Sequence, residues 1–245
     1  MQLPFFYIKA IDPSQKEIIL DEDTSKHIVQ VLRMKKGEQL NLTDGKGNLI
    51  IAEIIDAHKK HCAVKIIDSR FTSHASRKIT IAISLLKNTN RFEWFLEKAT
   101  EIGVSEIIPL ICERTEKEKF RFERMNGILI SAMLQSQQCW LPILHEPQEF
   151  NQIVKQSTHP TKLIAHCIEG TKTRLTNLPI NPRLNEAVGQ ELTSSIILIG
   201  PEGDFTKEEI ELAVQNNFIP ISFGKTRLTS ETAGVVAATV LKIPT

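Results

Sequence analysis

Several features that mark other classes of protein are missing from this 245-residue sequence. It has no N-terminal hydrophobic signal, no apolar run of membrane-spanning length and no low-complexity tract, so we expect a soluble cytoplasmic protein without a membrane partner. A structural zinc site is not expected either, because His58, His61 and Cys62 form one short cluster without a second ligand pair. The cysteines are scattered without C-x-x-C spacing, which favours reduced thiols over a disulfide framework: Cys62, Cys112, Cys139 and Cys167.

The usual sequence patterns for binding nucleotide phosphates are also missing. Gly224-Lys225-Thr226 has the form of the end of a P-loop, but the first glycine of that motif would have to stand at Ile219. No G-x-G-x-x-G pattern follows a predicted strand, so the dinucleotide fingerprint is absent. An enzyme acting on nucleotide phosphates therefore remains only an alternative, which competition by ATP would test.

The formal net charge of +1 excludes nothing by itself, but the charge is unevenly distributed. Residues 1–78 hold 13 Lys and Arg against 10 Asp and Glu, whereas the rest of the chain holds 17 against 19. Four of the seven histidines also fall in the first part. This asymmetry predicts that the N-terminal part carries the surface that faces a polyanion.

Two short apolar runs near the C-terminus, Ile196–Ile199 and Ile219–Phe223, predict buried strands that each end on a glycine. After the first, Gly200-Pro201-Glu202-Gly203 predicts a rigid tight turn in which Gly203 can take a positive φ. In open α/β sheets, ligands bind at the carboxyl ends of the strands. We therefore expect the two loops to enclose a binding site.

Helices are predicted to follow both loops. Thr206 and Glu209 form a capping box for a helix that ends near Asn216. Thr229 or Ser230 can cap a second helix from Glu231, whose small residues allow close packing. Asp204 and Glu231, together with Glu202, place negative charge where phosphates would otherwise bind, which favours a neutral or cationic ligand. S-adenosylmethionine carries a positive sulfonium and no phosphate, so its charge suits such a site.

The remaining pattern predicts two domains. Strands over 39–43, 48–55 and 61–67 indicate a small β-barrel, interrupted by a helix over 24–33 that is capped by Asp23. Further on, strands and helices alternate, which predicts a mostly parallel sheet with helices on its faces. We expect domains at 1–70 and 79–245 with a linker at 71–78. The later elements are strands 79–86, 104–111 and 163–166, helices 91–102 and 122–137, and an irregular crossover loop at 171–192.

Two stretches resemble the signature loops of a known family: I-L-I-G-P-E-G-D-F-T-K-E-E-I at 197–210 and F-G-K-T-R-L-T-S-E-T-A at 223–233. They resemble the RsmE family, methyltransferases that modify N3 of a uridine in 16S ribosomal RNA of the small subunit. Residues 87–115 and 27–38 are similar to the same family, the latter to its PUA-like RNA-binding domain. The resemblance implies an α/β protein with a C-terminal SPOUT domain that contains a deep trefoil knot, a PUA-like β-barrel, S-adenosylmethionine as cofactor and a homodimer.

The resemblance, together with the chemistry of methyl transfer and the positions of the predicted strands, indicates roles for particular residues. The catalytic candidates are Arg227, a cation that could offset negative charge on the uracil, and Glu202, a proton acceptor or an organiser of the loop amides. The candidates for RNA contact are Arg33, Lys35, Lys36 and Arg114, although Arg114 could instead pair with Glu113. The candidates for cofactor binding are His166, Leu198, Ile199, Gly200, Pro201, Glu202, Gly203, Phe223, Gly224, Leu228, Thr229, Ser230, Glu231, Thr232 and Ala233.

The chain departs from the family pattern at three places. The family carries an Arg near the N-terminus, where this chain has Leu3-Pro4, and often an Arg where Gln138 and Thr229 stand. These departures leave open an alternative function, a catalytically impaired RNA-binding protein that retains the SPOUT fold. The partners expected from the resemblance are 16S ribosomal RNA within the small ribosomal subunit and a second copy of the chain, with the helix at 231–243 as a possible interface.

Overall fold

The computed structural model describes residues 3–10, 12, 15–73, 78–116, 119–177 and 194–242. The chain divides into two compact units, residues 1–74 with 133–141 and residues 75–132 with 142–245. Residues 133–141 were expected in the second domain, but this segment belongs to the first unit. Backbone bonds join it there, from Gly47 N to Cys139 O (2.7 Å) and from Leu141 N to Gly45 O (2.8 Å). Linker residues 74–77 and loop residues 178–192 lie outside the described residues.

The first unit is built on a five-stranded sheet in the order β1-β3-β4-β5-β2. The β1–β3 pair is parallel and the others are antiparallel. The predicted strands are confirmed, and β5 runs four residues beyond its predicted end. The bounds are β1 Phe5–Tyr7, β2 Glu17–Ile19, α1 Glu22–Lys26, β3 Gln39–Thr43, β4 Asn48–Asp56 and β5 Ala63–Phe71.

The single helix predicted over 24–33 is wrong. The α1 helix begins after Asp21, whose carboxylate accepts from Thr24 N (2.9 Å), so Asp23 is not the cap. A π-helical turn at His27–Val31 follows, and Arg33 has a left-handed φ of 56°. The wider turn buries Ile28 and leaves Val31 68% exposed, so the two apolar residues do not share one face.

The second unit contains an eight-stranded sheet whose main path is β11-β13-β10-β12-β6-β7-β8, with β9 also beside β7. Every pair within it is parallel, which confirms the predicted mostly parallel sheet. The strands are β6 Lys78–Ser84, β7 Glu106–Ile111, β8 Ile143–Leu144, β9 Gln148–Glu149, β10 Thr161–Ala165, β11 Thr173–Arg174, β12 Ser194–Ile199 and β13 Ile219–Ser222. The helices are α2 Thr89–Ile102, α3 Phe122–Gln135, α4 Phe150–Gln156, α5 Lys207–Gln215 and α6 Ser230–Lys242, with a 3-10 turn at Leu175–Asn177.

Local signals set the ends of these helices. Gly103 ends α2 in the left-handed conformation (φ 88°), as predicted. The capping box of Thr206 and Glu209 at the start of α5 is confirmed. Phe92 and Phe95 are buried in the core, as expected from their helical spacing. None of the helices in the described ranges is long and apolar enough to cross a membrane.

Candidate active site

A cavity of about 400 Å³ opens at the carboxyl ends of three neighbouring strands, β13, β10 and β12. Ala165, near the end of β10, pairs with Ile199 on one side and Ile221 on the other, so the three strands end at nearly the same level. The loops after β12 and β13 form most of the wall. The sequence-based prediction of a site between these two glycine-ended loops agrees with this geometry.

The loop after β12 is a tight turn, but its left-handed residue is not the predicted one. Asp204 N donates to Pro201 O at 3.0 Å, and Asp204 has a φ of 64°, whereas Gly203 is not among the glycines with positive φ. Gly203 instead lies against another side chain, since a Cβ there would be 3.4 Å from Arg114 Cδ. Asp and Asn tolerate the left-handed region better than most residues, which explains how Asp204 can occupy it.

Four hydrogen bonds hold this turn in place. Asp204 accepts with one carboxylate oxygen from Cys167 N (2.7 Å) and with the other from Phe205 N (2.9 Å). Glu202 accepts from Lys87 N at 3.1 Å. Arg114 donates to the Gly203 carbonyl at 2.8 Å, a contact that differs from the ion pair with Glu113 left open above. The loop amides are therefore held in one arrangement before any ligand binds.

The two cavity loops are joined directly. The Ser230 hydroxyl donates to the Gly200 carbonyl at 2.7 Å in a buried position. Ser230 is the first residue of α6, and its side chain bonds to the other loop. The prediction that Ser230 could cap this helix is therefore wrong. Thr229, just before it, has its hydroxyl 3.0 Å from that of Thr232.

At the end of β10, the cavity wall contains an imidazole, that of His166, with one nitrogen that makes no hydrogen bond among the described residues. His166 lines the cavity, and its Nδ1 is buried without a hydrogen-bond partner in the described part of the chain. Burial, and secondarily the nearby Lys172 ammonium, lowers the pKa of His166, so the ring is neutral near pH 7. Lys172 donates to the carbonyls of His166 (3.1 Å) and Ile168 (2.9 Å) and so fixes this loop.

Most of the predicted cofactor-binding residues line the cavity. The lining members are His166, Ile199, Gly200, Pro201, Glu202, Phe223, Gly224, Leu228, Thr229, Ser230 and Ala233, together with the catalytic candidate Arg227. Leu198, Gly203, Glu231 and Thr232 do not line it. Leu198 is fully buried in β12, and Glu231 pairs with Arg91 Nε at 3.3 Å. Six further lining residues were not predicted from the sequence, although three lie inside predicted strands and Cys167 directly follows one: Ala165, Cys167, Lys172, Ile221, Ser222 and Thr226. Asp204, predicted only as a source of negative charge, lines the cavity as well.

The charges around the cavity are mixed. Glu202 and Asp204 contribute carboxylates, whereas Arg227 and Lys172 contribute cations. Lys225, which would be the lysine of a P-loop, does not line the cavity. Among the described residues, no group of three His, Cys, Asp or Glu side chains is placed to hold a metal ion. The lining therefore has no excess of positive charge, and it lacks the lysine with which a P-loop contacts phosphates.

The candidate RNA contacts lie elsewhere in the chain. Arg33, Lys35 and Lys36 are exposed residues of the first unit, just after the π-helical turn. The Lys35 amide donates to Glu38 at 2.7 Å, which orders this basic turn. Arg114 belongs to the second unit and keeps an exposed side chain beside Gly203.

Comparison with known proteins identifies the chain. A family model described as an RNA methyltransferase domain matches residues 73–242, and one described as an RNA methyltransferase PUA domain matches residues 20–67. The ribosomal RNA small subunit methyltransferase E of Synechocystis sp. is 32% identical over 215 residues, covering 86% of this chain and 68% of that protein. The chain belongs to the ribosomal RNA small subunit methyltransferase E (RsmE) family. The resemblance stated from the sequence is thereby confirmed.

Other RsmE family members match almost the full length of the chain. The protein from Rickettsia conorii is 28% identical, covering 97% of this chain and 94% of its own length. A solved RsmE structure from Neisseria gonorrhoeae, bound to S-adenosyl methionine, superposes with a TM-score of 0.81 at 26% identity, covering 97% of this chain and 95% of that one. The PUA match also bears out a PUA-like first unit.

Proposed function

We propose that this protein is an S-adenosylmethionine-dependent methyltransferase that modifies N3 of a uridine in 16S ribosomal RNA. The observation that carries the proposal is the cavity closed by the Ser230–Gly200 hydrogen bond between the two signature loops. Membership of the RsmE family supplies the reaction class and the RNA substrate.

The residues present fit S-adenosylmethionine. A cavity of about 400 Å³ is within the usual range of small-molecule sites. Its wall offers main-chain groups at Gly200 and Gly224, an unpartnered His166 Nδ1, and carboxylates at Glu202 and Asp204 that suit a cationic ligand. The main chain of 199–202, 223–224 and 226–229 would hold the adenosine part, with Ala233 leaving space beside it.

The sulfonium of the bound donor supplies a methyl group activated for displacement at carbon. Loops held in one arrangement would keep the donor in a single orientation towards the acceptor base, and such orientation can contribute roughly 7–11 kcal/mol. Arg227 lines the cavity with an exposed side chain, so its guanidinium can approach the uracil oxygens as N3 loses its proton. Glu202 lines the cavity and is the candidate to accept that proton, although its bond to Lys87 N also gives it a role in ordering the loop.

Thr229 stands where the family often carries Arg. Arg227 lines the same wall of the cavity and supplies a positive charge there. The alternative of an impaired RNA-binding protein is separated by isothermal titration with S-adenosylmethionine. We expect saturable binding that ATP does not compete for. Absence of binding at millimolar ligand would instead support the impaired protein, and competition by ATP would support a nucleotide-phosphate enzyme.

The substrate is tested by mass mapping of 16S ribosomal RNA from cells that lack the protein. We expect one uridine to lose a methyl group, and the purified protein to restore it on free RNA or on isolated small subunits. An unchanged modification pattern would contradict the proposed substrate. The location that follows from this substrate is the cytoplasm, with the small ribosomal subunit as partner.

We also propose the architecture that the resemblance implies, in which the first unit forms the PUA-like β-barrel, the second unit forms the SPOUT domain, and the cavity loops belong to a deep trefoil knot. The placement of β10 between β12 and β13, and the Ser230–Gly200 bond, support the entwined loops. An experimental density map that traces the C-terminal segment through the preceding loop would establish the knot, and an unthreaded trace would exclude it.

The proposed homodimer would use α6. Val235, Val236 and Val240 of this helix stay partly exposed, although the opposite face is buried. Light scattering should give twice the chain mass, and Val236→Asp should shift the protein toward monomer, whereas the matched control Val214→Asp on α5 should not. A monomeric wild-type protein at micromolar concentration would contradict this assembly.

A further inference from the structure

An exposed aromatic pair in the first unit has no part in the cavity described above. Phe71 ends β5 and is 67% exposed, and its ring meets the ring of Trp140 edge to face, with centroids 5.9 Å apart at 82°. Trp140 is partly buried and belongs to the segment 133–141 that returns to this unit. One exposed apolar residue alone would be ordinary, but here two aromatic rings are in contact and form a continuous surface.

The pair is held rigidly. Trp140 Nε1 donates to the Thr72 carbonyl at 2.9 Å, and Trp140 forms an isolated bridge with Lys46. Gly47 lies directly against the indole, since a Cβ there would be 2.5 Å from Trp140 Cζ2, and its φ of 93° also requires glycine. A ring fixed in this way loses little conformational freedom when a planar group stacks on it.

An exposed cation lies near the rings. Lys46, at the tip of the β3–β4 hairpin, is exposed, forms the isolated bridge with Trp140 and has no ion-pair partner among the described residues. Asp44, in the same hairpin, is buried and accepts from Lys46 N (2.9 Å) and Asn48 Nδ2 (2.8 Å), so its carboxylate orders the turn and does not contact the ammonium. Arg70 is paired with Asp68 and adds no net charge.

We propose that Phe71 and Trp140 form a stacking surface for an unpaired RNA base, with Lys46 contacting an adjacent phosphate. Stacking on fixed aromatic rings next to cations is how proteins bind single-stranded RNA without reading many base edges. A purely apolar protein partner would leave the Lys46 charge uncompensated, which favours RNA. This inference rests on the proposed function in that it takes RNA as the substrate, and it adds a binding site distinct from Arg33, Lys35 and Lys36.

The test uses tryptophan fluorescence in the full chain without S-adenosylmethionine. Trp94→Phe leaves Trp140 as the sole tryptophan, and we expect an unstructured RNA oligonucleotide to quench it saturably. Phe71→Ala should weaken binding by about fivefold or more, the loss of one stacked base. Phe71→Tyr should bind like the wild type, because the ring is kept. Lys46→Ala should lower the slope of log affinity against log salt by roughly 0.7.

Ile19→Ala is the matched control, because Ile19 is 73% exposed in the same unit but pairs with Ala63 at the opposite end of β5. It should leave RNA affinity unchanged. Unquenched Trp140 fluorescence, or equal affinity of Phe71→Ala and wild type, would overturn the stacking surface. If the wild type then still methylates 16S ribosomal RNA, the proposed function stands alone; if it methylates nothing while RNA still quenches Trp140, the proposed function fails and the stacking surface remains.

Discussion

At the scale of single residues, Asp204 shows how one side chain can organise a binding loop. It occupies a left-handed conformation, and its two carboxylate oxygens accept from Cys167 N and Phe205 N. The loops after β10 and β12 are therefore connected through one residue. A charged hydrogen bond of this kind contributes about 1.5–3 kcal/mol, enough to keep the cavity wall in place before a ligand arrives.

Arg227 gives the first prediction. Arg227→Ala should reduce kcat about 100-fold, because a cation next to the developing negative charge is lost, while the Kd for S-adenosylmethionine stays nearly constant. Arg227→Lys is the matched variant and should recover most of kcat by restoring the charge. The measurement is transfer of a labelled methyl group to 16S ribosomal RNA. Equal loss in both variants would mean that the guanidinium shape, not the charge, is required, and no loss in either would remove Arg227 from catalysis.

His166 gives the second prediction, which concerns pH. Its pKa is lowered from 6.5 mainly by burial and also by Lys172, with Asp204 acting in the opposite direction, so the midpoint of its protonation lies below pH 6.5. Protonation would add positive charge beside a cationic ligand. The affinity for S-adenosylmethionine should thus be constant above pH 6.5 and fall only below it, as measured by titration calorimetry.

The control for His166 is His166→Asn, which keeps a polar group but cannot titrate in this range. Its affinity should be the same on both sides of pH 6.5. A wild-type affinity that does not change at acidic pH would show that the imidazole does not face the cationic part of the ligand.

At the scale of elements, the packing of α6 depends on the close approach of Gly234 to the ring of Phe95. A Cβ at Gly234 in α6 would lie 2.6 Å from Phe95 Cε2 and 3.2 Å from Ile83 Cδ1, and both of these residues are fully buried. The helix can therefore pack against α2 and β6 only with glycine at this position. This packing also positions Ser230, at the start of the same helix, beside Gly200.

The third prediction compares two glycines in helices. Gly234→Ala should lower the free energy of unfolding by about 1–3 kcal/mol, since overpacking outweighs the better helix propensity of alanine. Gly127→Ala in α3 is the matched control, because no atom lies within 4 Å of a Cβ there, and it should raise stability by about 0.5–1 kcal/mol. Urea unfolding measures both. Stabilisation by Gly234→Ala would show that α6 is not packed this closely.

At the scale of the whole molecule, the fold separates two tasks between two units. The cavity is formed entirely by residues of the second unit, whereas the basic turn and the aromatic pair belong to the first. The excess of basic residues in the first 78 positions agrees with this division. A large RNA substrate requires many weak phosphate contacts, and these need not be near the reacting base.

The fourth prediction tests the basic turn. Replacing Arg33, Lys35 and Lys36 together by Ala should make the slope of log affinity against log salt shallower by roughly two. The reason is that RNA binding then releases fewer counterions, since fewer phosphates are neutralised. Lys98→Ala is the control, since its ammonium already contacts Glu97 (2.7 Å) and Glu101 (3.0 Å). Filter binding at several salt concentrations measures the slopes. An unchanged slope in the triple variant would remove this turn from the RNA surface.

The elements and their ends were largely predictable because their signals are local. Buried strands appear as short apolar runs, Gly103 ends α2, and Thr206 with Glu209 begins α5. The π-helical turn after Lys26 was not predictable, since helical periodicity does not distinguish a normal turn from a widened one. The composition of residues 133–141 does not indicate that this segment returns to the first unit.

The sequence by itself determined the α/β pattern, the two glycine-ended loops and, through their resemblance, the RsmE family. Only the tertiary structure decided which atoms meet across the cavity: Asp204 with Cys167 N, Ser230 with Gly200 O, and Arg114 with Gly203 O. Spacing along the chain sets φ preferences and helix caps, which depend on neighbouring residues. Contacts between residues 30 to 89 positions apart depend instead on strand order and register, and these arise only when the whole sheet has formed.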